Sequence, residues 1–106
     1  MRLLKILLVS AFVLGFSAST LSASSAKGQK IFILKFKEPC GFNGAVFAAK
    51  HSQSQWQEIK DNGNFKNEFM KICPNVKESD IKDRWVPHIF DFSYEYANDS
   101  GNVPSC

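Results

Sequence analysis

The first 26 residues set the limits for everything after them, because they read as a segment removed before the rest folds. Met1 to Lys5 is a short basic start carrying Arg2 and Lys5. Ile6 to Phe16 is apolar apart from Ser10 and Gly15, and small residues follow from Ser17 to Ala26. Charged, apolar, then small is the order of a secretory signal peptide. Coiled as a helix, residues 6–16 reach roughly 16 Å, about half of a bilayer core, so the run is too short to anchor the chain. Cleavage can follow Ser19, Ala23 or Ala26. The leader holds no Cys, which excludes a lipoprotein signal. A periplasmic or secreted location is expected, with no membrane span after cleavage.

Roughly 80 residues then remain, enough for one small domain over residues 27–106. Their 11 Lys and Arg against 10 Asp and Glu leave +1 of the whole chain's +3. A near-neutral domain carries no electrostatic footprint for nucleic acid or anionic lipid. The aromatic supply is generous, with Phe32, Phe36, Phe47, Phe65, Phe69, Phe90, Phe92, Trp56 and Trp85 all in this part. Such rings can build a core at this size, and a covalent staple would help it.

The expected class is mainly α: about four short helices behind an extended N-terminal segment. Lys30 to Lys37 alternates, with Phe32, Leu34 and Phe36 on one face and Ile31 and Ile33 on the other. That pattern predicts a short strand or an extended arm. Asn43 to His51 turns helical in composition. Ser54 to Gln57 has the spacing of a capping box, opening a second helix with Trp56 and Ile59 inward and Asn62-Gly63 as its stop. Asn64 can cap a third. Phe65, Phe69, Ile72 and Cys73 follow its i, i+4, i+7, i+8 face, and Pro74 ends it. Ser79 can cap a fourth, striped by Ile81, Trp85, Ile89, Phe92 and Tyr96, with a kink or a fresh start at Pro87. The expected core is Phe47, Trp56, Phe65, Phe69, Ile72, Trp85, Ile89 and Phe92.

Three cysteines in an exported chain leave one over after pairing. Loop entropy hardly chooses between bridges: a 33-residue loop is worth about 3.7 kcal/mol and a 66-residue loop about 4.3 kcal/mol. Antiparallel neighbours put Cys40 and the tail at one end of the bundle. Cys73 sits in an apolar stripe, where a reduced thiol packs as a small hydrophobe. The expected bridge is Cys40–Cys106, which would also order the turn-rich tail. The runner-up is Cys40–Cys73, with Cys106 free for a partner.

Candidate chemistry is sparse. Thiolate, imidazole and thioether suit copper or zinc. Cys40, His51, Met70, Cys73, His88 and Cys106 are the available donors. Once two cysteines pair as expected, His51, Met70, Cys73 and His88 form the candidate metal set. No C-x-x-C-H occurs, which excludes a covalent c-type haem. Cys40 as a nucleophile would need a second Cys three residues on or a nearby His, and position 43 is Asn. Asp91, Glu95 and Asp99 read as a solvated helix face. No catalytic constellation emerges, and a non-enzyme is expected.

The stretch from Pro39 to Trp56 (PCGFNGAVFAAKHSQSQW) and the ending from Tyr94 to Cys106 (YEYANDSGNVPSC) resemble small bacterial periplasmic proteins of a copper-resistance-determinant group, some of them labelled cytochrome c-like. The resemblance implies copper handling or tolerance in the periplasm, with copper as the cofactor. It carries no ligand motif onto individual residues. The alternative is a non-catalytic, disulfide-stapled interaction module or accessory subunit of an envelope complex, with an envelope protein as its partner.

Overall fold

The computed structural model describes residues 24–104. Most of the predicted leader and Cys106 lie outside them. Among the described residues the chain is helical and has no strand. Residues 24–35 form α1. There follow α2 (Lys37–Cys40), α3 (Gly44–Ala48), α4 (Gln53–Asp61), α5 (Phe65–Ile72), two 3-10 turns (Glu78–Asp80 and Asp83–Trp85), and α6 (Val86–Glu95).

The extended arm expected over Lys30 to Lys37 is therefore corrected to helix. Its alternation is real but shares its residues with a second period. Ser25, Gly28, Phe32 and Phe36 are all buried, at steps of three and four. The backbone decides between the two patterns: with no strand to pair with, only a helix satisfies its own N–H and C=O groups. Phe36 N–H donates to the Phe32 carbonyl at 2.9 Å and Cys40 N–H to Phe36 at 2.9 Å, so the coil carries through the turn into α2. The helix sends Phe32 inward and Leu34 outward, where a strand would have kept them together.

α3, α4 and α5 form where the 3.6-residue period predicts them, but Ser79 caps no helix: two 3-10 turns fill residues 78–85, and the last helix begins at Val86. Asn43 caps α3, its side chain accepting from Val46 N–H. The capping box of α4 is shifted by two residues: Ser52 pairs with Gln55, not Ser54 with Gln57. The same spacing occurs twice in overlap. Gln57 spends its amide on Asp61 at 2.9 Å, leaving the earlier pair to cap. Gly63 closes the turn after α4 with φ of 71°, a backbone state that Cβ-bearing residues avoid. Asn64 stands at the start of α5, and Pro87 lies in the first turn of α6 as a fresh start.

The core is a chain of rings. Trp85 meets Phe36 edge-on at 6.0 Å, Phe36 meets Phe69 at 4.7 Å, and Phe69 meets Phe47 at 4.7 Å. Phe47 stacks on Trp56 at 5.4 Å. The Trp56 indole N–H donates to the Ala48 carbonyl at 2.9 Å, so its one polar atom is satisfied inside the core. Of the expected core, Ile72 and Trp85 are only half-buried, while Phe32, Phe36, Ile81 and Phe90 join it.

α6 packs on α3, α4 and α5, and α1 lies across it. At the crossing a Cβ added to Gly28 would stand 2.5 Å from the His88 carbonyl carbon and 3.0 Å from the Ile89 nitrogen. Backbone meets backbone here, which only glycine permits. Ser24 hydrogen-bonds His88 Nδ1 at 3.0 Å, and Ser25 donates to Glu95. Hydrogen bonds hold residues 98 and 99 to the α3–α4 turn. Asn98 N–H donates to the His51 carbonyl at 3.1 Å, and Asp99 accepts from Gln53 N–H at 2.9 Å.

Candidate functional site

The predicted donors do not converge. Cys40 and Cys73 form a disulfide, with Cα atoms 4.7 Å apart. This overturns the expected Cys40–Cys106 bridge and the reduced Cys73, since Cys40 cannot serve both; Cys106 itself lies outside the described residues. The physical reason is the helix at 24–40. It brings α2 against the end of α5, so the Cys40 side meets Cys73 just after the last turn of α5. Neither sulfur is a thiolate, which removes Cys73 from the metal set and Cys40 from thiol catalysis.

The other three donors have separate surroundings. His51 Nε2 lies 2.8 Å from Glu68 Oε2, and the imidazole meets the Trp56 ring edge-on at 4.8 Å. His88 bonds Ser24 at the α1–α6 crossing. Met70 is half-buried against the core. Among the described residues no three His, Cys, Asp or Glu side chains gather as a metal site would require. Asp91, Glu95 and Asp99 do not act as one face either: Glu95 accepts from Ser25, and Asp99 from the start of α4.

A different feature emerges on the outer side of α1. Lys27, Lys30, Ile31, Leu34 and Lys35 face Trp85 across a groove of about 570 Å³. Leu34 is 68% exposed, a large apolar side chain left in water. It also borders a second depression with Ile33, Lys37 and Phe42, so it forms a ridge between two hollows. Trp85 closes the groove with one ring edge while another edge abuts Phe36. Lys82 Nζ and the Arg84 guanidinium each stand 5.7 Å from its ring centre, within cation–π reach.

The charge of this face is one-sided. Lys27, Lys30, Lys35, Lys82 and Arg84 make up five of the 11 cations from Lys27 onward, although the domain nets +1. No carboxylate lines the α1–Trp85 groove. Acids do stand nearby: Glu38 shares the second depression with Leu34, Asp80 accepts from Lys77 N–H at 3.0 Å, and Asp83 pairs with Lys66. Lys66 holds the Asp83 carboxyl below its ordinary value, first by hydrogen bond and then by charge.

Sequence reasoning missed this groove because it treated residues 30–37 as extended. Read at helical period, Lys27, Lys30, Ile31 and Leu34 fall on one outer stripe, and that signal was present. The approach of Trp85 from 50 residues further on has no local signature. Compared with known proteins, the chain matches no family model, no curated protein and no solved structure.

Proposed function

We propose that the protein is an exported, disulfide-stapled interaction module of the cell envelope with no catalytic centre of its own. Export rests on the leader's charged, apolar and small-residue order, and it accords with a Cys40–Cys73 disulfide, since such bonds persist in oxidising compartments. One observation carries the choice of a binding role. The donors that a metal or thiol chemistry needs are committed elsewhere, while an apolar, cation-rimmed groove on α1 stands open. Exposed apolar surface framed by charge is the mark of an interaction site.

Copper handling is the competing reading, supported by the resemblance of the Pro39–Trp56 and Tyr94–Cys106 segments. Its strongest remaining donor is His51, a half-buried imidazole beside a carboxylate. Native mass spectrometry of the exported protein, with and without copper, separates the two. The module reading expects a processed N-terminus, one disulfide, and no copper surviving desalting. Stoichiometric copper that disappears in His51→Ala would replace it with metal handling.

A further inference from the structure

Resting on the interaction-module reading, we infer that the groove between α1 and Trp85 binds an acidic amphipathic helical segment of a partner protein. Leu34 and Ile31 supply apolar contact along one helix face, and Trp85 closes the far wall. Aromatic anchors beside a hydrophobic hollow are the usual centre of helix-in-groove recognition. Lys27, Lys30 and Lys35 rim the hollow with no carboxylate among the lining residues. A helix seated there with its apolar stripe inward would present its flanking side chains to these three ammonium groups. Glu or Asp at those flanks complements them; Lys or Arg would be repelled.

Two other occupants fit less well. A second copy docked face to face would bring the same lysines together, with no carboxylate among the groove-lining residues to separate them. A bilayer favours apolar side chains that protrude as a set. Of the groove's own apolar side chains Leu34 alone protrudes, while Ile31 and Trp85 are half-buried within a hollow; Ile33, also exposed, borders the neighbouring depression. The concave shape calls for a ridge, which a helix provides and a membrane surface does not. Trp85 is also held from behind by Phe36 and flanked by Lys82 and Arg84, so the wall is formed before any partner arrives. A pre-formed wall lowers the ordering cost of binding.

The test uses a synthetic helix of about 15 residues, roughly four turns, with Leu on one face and Glu on its flanks. It is titrated into isotope-labelled protein and followed by NMR. Shifts should concentrate at Lys27, Lys30, Ile31, Leu34, Lys35 and the Trp85 indole, and binding should weaken with added salt. Lys27→Glu with Lys30→Glu should lower affinity by about tenfold or more, the scale expected for reversing two rim charges. Leu34→Asp should lower it likewise; both sites are exposed, and unchanged circular dichroism confirms folding. Equal binding of a Lys-flanked peptide, shifts outside the groove, or binding only to mixed phosphatidylcholine–phosphatidylglycerol vesicles would overturn the proposal. A photo-crosslinking residue at Leu34 and, separately, at exposed Val46 in the native host keeps the two levels apart. A Leu34 adduct whose sequenced peptide is acidic and amphipathic supports the groove. An adduct from Val46 alone overturns the groove and leaves the module reading standing. No adduct from either overturns both.

Discussion

Replacing Gly28 with Ala sets two general effects against each other, and the packing of α1 on α6 decides the sign. Within a helix, Ala is favoured over Gly by about 1 kcal/mol, so G28A should stabilise an isolated α1. In the folded protein the new Cβ would stand 2.5 Å from the His88 carbonyl carbon, and closer still to its oxygen. Carbon pairs settle at about 3.5 Å, so α1 must withdraw by about 1 Å. The obstacle is backbone in the first turn of α6 and cannot rotate away. A gap of that size forfeits up to about half of the dispersion attraction across the seam and strains the Ser24–His88 and Ser25–Glu95 bonds. Overpacking against an unyielding neighbour costs about 3 kcal/mol, the top of its usual range. The net effect is a loss of about 2 kcal/mol, which lowers Tm by roughly 8–16 °C in a domain of this size. Thermal and urea unfolding followed at 222 nm measure it, with Lys30→Ala as the control on the exposed face. A G28A protein that melts at or above the parent would refute the close crossing of α1 and α6.

The remaining expectations concern the staple, the core and one surface pair. Cys40→Ala with Cys73→Ala should cost about 3–4 kcal/mol in urea unfolding, the value for opening a 33-residue loop, whereas Cys106→Ser should cost nothing comparable; non-reducing peptide maps linking Cys40 to Cys106 would contradict this. Trp56→Phe removes the donor to the buried Ala48 carbonyl and should cost about 2–3 kcal/mol, and an unchanged urea midpoint would show that the bond carries no weight. Lys66→Met should raise the Asp83 carboxyl pKa toward its ordinary value in an NMR titration. Because the folded value is lowered, the pair's contribution is present above the ordinary carboxylate pKa and fades as pH falls through the lowered one. A neutral-pH Tm unchanged by the substitution fits so exposed a pair.

Much of the fold was legible because helix period and aromatic spacing act locally. Phe65, Phe69 and Pro74 delimit α5 from sequence alone, and Pro87 announces a helix start. Two failures share one origin. Over Lys30 to Lys37 alone, Phe32, Leu34 and Phe36 alternate like a strand, and the helical stripe becomes visible only with Ser25 and Gly28 included. With α1 read as an extended arm, nothing placed Cys40 beside Cys73, and loop entropies of about 3.7 and 4.3 kcal/mol could not choose. The groove was illegible for the same reason, since its stripe exists only at helical period. The reach of Asn98 and Asp99 back to the α3–α4 turn is a long-range contact without a sequence pattern.

The union of α1 with α6 also sets when this chain can fold. The bonds of Ser24 to His88 and Ser25 to Glu95 close loops of 64 and 70 residues, and the face of α1 around Gly28 finds its partner nowhere earlier. A nascent chain made at about 5–20 residues per second therefore leaves the Gly28 face of α1 uncovered for roughly 3–14 s before α6 exists, although Phe32 and Phe36 can meet Phe47 and Phe69 sooner. The same wiring makes truncation costly: removing the last helix uncovers the Gly28 face of the first.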